Sequence, residues 1–476
     1  MSNRLLLEEL SGDRVRVGLR RAGHDVDEWF GEPIPFTAPL SPAEREDLRW
    51  YLEDYLIAPF AVYEQHGQAV QAKLAEWGRA LFEAVFGAGK PGRDAYLQAR
   101  EGACTLVLRS SSPAFLSLPW ELLQDPQRPT PLTLELSAID RTLVAAGAAA
   151  AVPPGEMLRV LMVIARPAGL KDVGYQMIAR PLVERLAAVR GEVELEVLRP
   201  PTLEALTSRL QAAAAEGRPY HILHFDGHGT FGQAAEGGDG PYRFDSGAGR
   251  RGYLAFEAEG GGDDLVPAEE FALTINQARV PLVVLNACRS GMVGEAAVEA
   301  AVATRLLEGG TASVVAMGYS VYAVAAAEFM AAFYEALFAR KSVSEAVSEG
   351  RRRLYRRKER PSPKGMLPLE DWIVPVHYLR RAISFAELKP NKAPGVLSLD
   401  TLLDRMRPSG STVPGGAPIS DPLAPVGRFV GRDAAFYTLE LVLKWQRVVV
   451  VYGPAGTGKT ELAKAFGRWW QTTGGV

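Results

Sequence analysis

Cysteine and histidine are scarce in this chain, with 2 and 6 among 476 residues. Two thiols close at most one disulfide. Cys104 sits in a strand-like run, ACTLVL, apart from Cys288, so a reduced interior is expected rather than a secreted scaffold. Only His221 and His224 share an element at close spacing, which is too little for a zinc site. Charge of one sign is missing too. The 53 basic against 56 acidic residues leave a net charge of −3, with no global pull toward nucleic acid or an anionic membrane. No long uncharged apolar run occurs, and the opening MSNRLLLEELSGD carries acids where a signal peptide needs an apolar core. A cytoplasmic chain with no membrane partner is expected. What remains is ordinary: 47% hydrophobic and 23% charged residues describe a globular protein, and 476 residues are too many for one core.

Read in order, residues 4–20 alternate around Ser11-Gly12-Asp13 and predict a β-hairpin. Ser41-Pro42-Ala43-Glu44 has the form of a capping box, opening a helix to about Leu56. A second helix, Gln68–Phe86, carries Leu74, Trp77, Leu81 and Phe82 on one face. Strand-like Thr105–Arg109 comes next, then Pro119-Trp120-Glu121-Leu122-Leu123. Residues 1–150 hold no catalytic grouping and read as a supporting subdomain packed on a sheet edge. Beyond the small-residue, proline-rich connector at 145–156, strands and helices alternate. Strands are predicted at Leu158–Ile164, Val193–Leu198, Tyr220–Phe225, Leu282–Leu285, Ala312–Met317 and Trp372–Tyr378. Helices are predicted at Ile178–Val189, Leu203–Glu216, Ala296–Leu307, Ala323–Ala339 and Val343–Leu354. The fold class is therefore α/β, with a mostly parallel sheet between helices over 151–383.

Two strand ends hold the chemistry. Val280–Gly291, VPLVVLNACRSG, is an apolar strand breaking into Asn286-Ala287-Cys288-Arg289-Ser290-Gly291. About sixty residues earlier, Tyr220–Phe225 breaks into Asp226-Gly227-His228-Gly229. Ligands of open α/β sheets bind at carboxyl strand ends. A thiol and an imidazole there make a nucleophile and its base. Cys288 and His228 are thus the candidate dyad, and the N–H groups of Gly229 and Cys288 are candidate oxyanion donors. Asn286, Asp226 and Arg166, the last at the end of the first sheet strand, are candidate substrate-pocket residues. Arg166 is also placed to pair with Asp226 or Asp172, and Arg289 beside the nucleophile would lower its pKa if it faces the thiol. The glycine-rich stretch Thr230–Arg251 reads as a variable surface loop, a lid or a self-cleaved segment at Arg250-Arg251. After it, Gly252–Glu257 and Leu265–Val266 predict a hairpin. The basic run Arg351–Arg360 reads as the solvated end of a helix, and no nucleic-acid partner is expected.

Residues 384–425 are rich in Pro, Gly and Ser and predict a flexible linker with one short helix near Leu399–Met406. In 426–476, a helix through Leu443 and a buried strand at Arg447–Val451 lead into Gly453-Pro454-Ala455-Gly456-Thr457-Gly458-Lys459-Thr460. This fits G-x-x-x-x-G-K-[ST] in full and is succeeded by a helical pattern at Glu461–Trp470. Gly453 and Gly458 let backbone N–H groups curl round phosphates, Lys459 meets the β/γ-phosphates, and Thr460 holds Mg²⁺ when ATP or another NTP is bound. The reading is the first β-α unit of a P-loop domain, too short to fold or hydrolyse ATP well by itself.

HILHFDGHG with LVVLNACRSG behind it resembles the CHAT domain, a caspase- and separase-related cysteine peptidase fold common in bacterial signalling proteins. The resemblance extends to Pro119–Leu123, VVAMGYSV at 314–321 and Trp372–Tyr378, and covers roughly 1–383. The segment 426–476 resembles the start of a STAND-type NTPase, in which FVGRD (429–433) precedes the P-loop. The resemblance implies a cysteine endopeptidase effector, without a cofactor of its own, acting on a protein or peptide. Its implied roles are His228 as base, Cys288 as nucleophile and Gly229 as oxyanion donor. It further implies control by the NTPase, through which the chain would oligomerise, and by a C-terminal sensor, as in bacterial defence or programmed cell death. Arginine-cleaving relatives have aspartate where this chain has Asn286, which argues against a basic P1 residue. Two rivals stand beside this reading: a non-catalytic caspase-like scaffold, and a chain acting mainly as a P-loop ATPase switch.

Overall fold

The structure, a computed structural model, describes residues 2–10, 13–144, 148–168, 193–232, 251–287, 298–386, 388, 423, 429, 431–443 and 446–475. The first third of the chain supplies β1 (Asn3–Leu10), β2 (Arg14–Arg20), β3 (Glu28–Pro35), β4 (Cys104–Arg109) and β5 (Ala138–Thr142). Between β3 and β4 lie α1 (Pro42–Glu53), α2 (Val62–Phe86) and α3 (Gly92–Ala99). Helix α1 starts where the capping box places it, with the Ser41 and Glu44 side chains each taking the other's backbone N–H. Helix α2 begins six residues before the expected Gln68, because its first turn is in solvent and shows no apolar stripe. Val62 and Tyr63 there are exposed.

The next part supplies β6 (Leu158–Ile164), β7 (Val193–Val197), α4 (Leu203–Ala215), β8 (Ile222–Asp226), β9 (His228–Gly232), β10 (Arg251–Glu257), β11 (Asp263–Pro267), α5 (Ala268–Gln277) and β12 (Leu282–Asn286). It continues through α6 (Val298–Gly309), β13 (Ser313–Met317), α7 (Ala323–Phe338), α8 (Val343–Arg356), the small hairpin β14 (Glu359–Ser362) and β15 (Gly365–Pro368), and β16 (Pro375–Leu379). Eleven strands form one sheet in the order β3-β2-β1-β4-β5-β16-β13-β12-β8-β6-β7. Strands β13, β12, β8, β6 and β7 are mutually parallel. Every residue of β6, β8, β12 and β13 is buried, as expected of strands covered on both faces. β16 runs antiparallel to β13, and it joins β5 through the single pair Tyr378 and Arg141. The fold is mixed α/β: a large, mostly parallel sheet flanked by helices.

Several expectations are corrected. His228 does not sit in a turn but starts β9, which leaves the main sheet to form a three-stranded sheet with β10 and β11. Helix α5 follows the predicted hairpin directly, in a stretch to which no element is assigned above. Arg351–Arg360 is a solvated end only in part: Arg356 and Arg357 are exposed, but Arg351 and Arg360 are buried, paired with Glu121 at 2.8 Å and Asp371 at 2.6 Å. Phe385 and Leu388, at the head of the expected linker, are buried. Residues 447–451 form no strand. Val448 and Val450 are exposed, since no segment among the described residues lies alongside to pair with them. The helices α9 (Asp433–Leu443) and α10 (Lys459–Thr472) do form around them. The expected helices 178–189 and 399–406, most of the 230–251 loop, and Asp172 lie outside the described residues, as do Cys288, Arg289, Ser290 and Gly291.

Candidate active site

Three parallel strands end together at the carboxyl edge of the sheet. Their register sets Ile164 of β6 and Asn286 of β12 on either side of Asp226 of β8. The ladder runs on past the strand ends, with the Ala165 N–H donating to the Asp226 carbonyl at 3.0 Å and the Gly227 N–H to the Asn286 carbonyl at 3.1 Å. Only a glycine fits at 227 without displacement: a Cβ there would lie 2.9 Å from the Phe225 ring and 3.3 Å from Ala165 Cβ. The chain then turns out of the sheet. His228, half-buried, pairs with Ala255 of β10, and Gly229, buried, pairs with Leu254.

The three pocket candidates form one network beneath these tips. Asp226 takes a guanidinium N–H of Arg166 on Oδ2 at 2.7 Å and the Asn286 amide on Oδ1 at 2.9 Å. The other Arg166 Nη donates to the Asp226 carbonyl at 2.8 Å and to the Ala165 carbonyl at 2.9 Å. Arg166, Asp226 and Asn286 are buried. Of the two partners suggested for Arg166, the structure thus shows Asp226. The guanidinium is neutralised within the protein, so it does not offer an uncompensated cation to an acidic substrate side chain.

Glu257 was not visible as a site residue in the sequence. It ends β10 and accepts the Arg166 backbone N–H at 3.1 Å, tying the small sheet that carries His228 to the tip of β6. Glu53 is another. It closes α1 in the supporting subdomain, yet its Oε1 accepts the Ser320 N–H at 2.7 Å, just past the end of β13, and its carbonyl accepts the Tyr322 hydroxyl at 3.1 Å. Burial raises the Glu53 carboxyl, against the pull of the Ser320 N–H and of Arg49 at 2.8 Å. Its only local signal, an Arg49–Glu53 pair one helical turn apart, reads as surface chemistry. Ala287, the neighbour of Cys288, is buried.

In the terminal unit, Gly453, Gly456 and Gly458 hold positive φ angles of 151°, 79° and 77°, and Lys459 opens α10. Lys459 Nζ folds back onto the carbonyls of Gly453 at 2.9 Å and Pro454 at 2.7 Å, while Thr460 is exposed. A glycine-rich turn at the N-terminus of a 14-residue helix, with Lys and Thr as its first residues, has the chemistry to hold a phosphate and its Mg²⁺. No helix among the described residues is long and apolar enough to cross a membrane.

No curated protein sequence matches the chain. Two solved structures of the Saccharomyces cerevisiae separase–securin complex are similar to it. One, at 3.0 Å, is 12% identical with a TM-score of 0.45, and the other, at 2.6 Å, is 11% identical with a TM-score of 0.41. Each covers 80% of this chain, which in turn spans 30% of the length of that chain. The glycine-rich loop 453–460 lies outside the match to the CHAT domain model, which takes in residues 75–394 and so more than half of the 476. The chain belongs to the CHAT domain family.

Proposed function

We propose that the chain is a caspase-like cysteine endopeptidase acting on a protein or peptide, with Cys288 as nucleophile and His228 as base. The observation that carries this reading is the register of β8 and β12. Asn286 lies beside Asp226, and Cys288 and His228 each come two residues later. Neighbouring strands are about 4.8 Å apart and two residues reach at most about 7 Å, so this register starts both groups from one edge of the sheet. In the reaction the Cys288 thiolate attacks the scissile carbonyl carbon, forming a C–S bond. The His228 imidazolium then protonates the departing amine, leaving a thioester. Water attacks the thioester and gives its proton to His228, and the Cys288 thiolate leaves as the carboxylic acid is released, restoring the thiolate–imidazolium pair. The N–H groups of Gly229 and Cys288 are the candidate donors to the oxyanion. Asn286 beside a neutralised Arg166 favours an uncharged P1 side chain over a basic or acidic one.

Residues 1–383 would form the peptidase part and 426–476 the start of a STAND-type nucleotide switch joined by the 384–425 linker. ATP or another NTP would be held by Gly453, Gly458, Lys459 and, through Mg²⁺, Thr460. A cytoplasmic effector in bacterial defence or programmed cell death, read out by a further sensor region, fits this arrangement. The deciding experiment incubates the full chain and its Cys288→Ala variant with a mixed peptide library. Cleavage by the wild type alone is expected. Cleavage by both, or by neither, overturns the peptidase reading.

A further inference from the structure

The terminal unit is seated on β7, an edge of the large sheet. The Val197 N–H donates to the Thr473 carbonyl at 3.0 Å, as it would to another strand. Arg199 grips Glu440 with two bonds of 2.9 and 3.0 Å, donates to the Thr473 carbonyl at 2.9 Å, and stacks 4.6 Å from the Trp470 ring centroid. A two-pronged guanidinium–carboxylate pair laid on an aromatic ring fixes orientation as well as contact.

From that seat α9 reaches the carboxyl edge of the sheet. The buried Tyr437 hydroxyl donates to the Arg166 carbonyl at 3.0 Å, with a Glu257 carboxylate oxygen at 3.5 Å. Both partners belong to the candidate site. Arg166 holds Asp226, two residues before His228, and Glu257 ends the strand paired with β9. The N-terminus of α9, about one and a half turns before Tyr437, meets the glycine-rich loop, where Arg432, one residue before the helix, donates to the Thr457 carbonyl. Phosphate oxygens accept more strongly than amide carbonyls, so a phosphate entering the loop competes for Lys459 and for the loop geometry that Arg432 holds.

We infer that the first turns of α9 transmit the state of loop 453–460 to the strand carrying His228, with Tyr437 as the positioning residue that meets the site. The inference rests on the reading of the terminal unit as a nucleotide switch. It names the contact through which that switch acts, and neither a trigger nor a substrate is needed to test it.

The test is amide hydrogen exchange on the full chain, with and without Mg·ATP, in the wild type, Tyr437→Phe and Lys459→Ala. Protection of 453–460 reports binding, and peptides over 228–232 and 251–257 report the response of β9 and β10. In the wild type, Mg·ATP is expected to change exchange at β9 and β10 by roughly fivefold, the worth of one hydrogen bond. Tyr437→Phe is expected to keep protection of the loop and lose that response, and Lys459→Ala to lose both. An equal response in Tyr437→Phe, or none in the wild type despite a protected loop, overturns the inference. An unprotected loop in the wild type overturns the nucleotide reading and this inference with it. The peptidase reading is judged separately, by Cys288→Ala.

Discussion

Two histidines of this fold invite comparison, and the one with triad-like hydrogen bonds is the one without access. His377 of β16 lies 2.7 Å from the Ser313 hydroxyl and 2.6 Å from an Asp140 carboxylate oxygen, distances that would suit a Ser-His-Asp triad. Ser313 and His377 are both 0% exposed, and Ser344, at the start of α8, caps the other Asp140 oxygen at 3.0 Å. His228 stands half-exposed at a strand tip, next to a glycine and over a buried ionic network. Hydrogen-bond distances alone therefore do not identify a catalytic group. Position on the carboxyl edge and contact with solvent separate a histidine that can meet a substrate from one that ties three strands together.

The sharpest test of that contrast is a double dissociation. His228→Ala should lower peptide cleavage by about 10²–10⁴-fold, the usual worth of a general base, and leave the unfolding free energy in urea within about 0.5 kcal/mol of the wild type. Ser313→Ala should cleave at the wild-type rate, and His377→Ala should lose about 3 kcal/mol of stability by leaving Asp140 buried without its nearest partner. Loss of cleavage in Ser313→Ala with retained cleavage in His228→Ala would reverse the assignment.

The sealed half is further defined by Glu121, which bridges Arg141 at 2.7 Å and Arg351 at 2.8 Å with all three side chains buried. Burial pushes the Glu121 carboxyl up, but the two guanidiniums outweigh it and hold it below the ordinary glutamate range. Glu121→Gln keeps the shape and removes the counter-charge from two buried arginines. It should cost about 3–5 kcal/mol in denaturant unfolding. A loss below about 1 kcal/mol would show that water reaches this half after all.

Much of the frame could be read locally. The hairpin at β1 and β2, the capping box of α1 and the apolar strands β6, β8 and β12 all follow from spacing and cap chemistry, which act over a few residues. What escaped depends on distant partners. Arg351 is buried because Glu121, 230 positions away in the chain, neutralises it. The apolar run before the glycine-rich loop has the pattern of a buried strand, yet among the described residues it finds no strand to pair with, so Val448 and Val450 are exposed and Val449 and Val451 only half-buried. Helix α5 carries ordinary start signals, with Pro267 and then Glu269 and Glu270, but the glycines before it mask them. At the site, the spacing after each strand points to His228 and Cys288 as a pair. Glu257, Glu53 and Tyr437 come from other elements, and nothing around them in sequence marks the role.

A third histidine, His224, sharpens the contrast through pH. It lies two residues before Asp226, fully buried, with Tyr334 at 3.3 Å from Nδ1. Burial pulls it down to about 4, against the upward pull of Asp226. The unfolded chain binds a proton near pH 6.5 that the folded chain refuses until about pH 4, so stability is lost as pH falls between these values. At pH 5 the difference amounts to about 2 kcal/mol relative to neutral pH. His221, brought to about 4 by burial, adds in the same direction. His224→Phe should reduce the drop in unfolding free energy, measured in urea, between pH 7 and pH 5 by about that 2 kcal/mol, whatever its effect at neutral pH. An unchanged slope would mean that His224 takes up its proton in the folded state, so that burial in this sheet does not keep a histidine neutral.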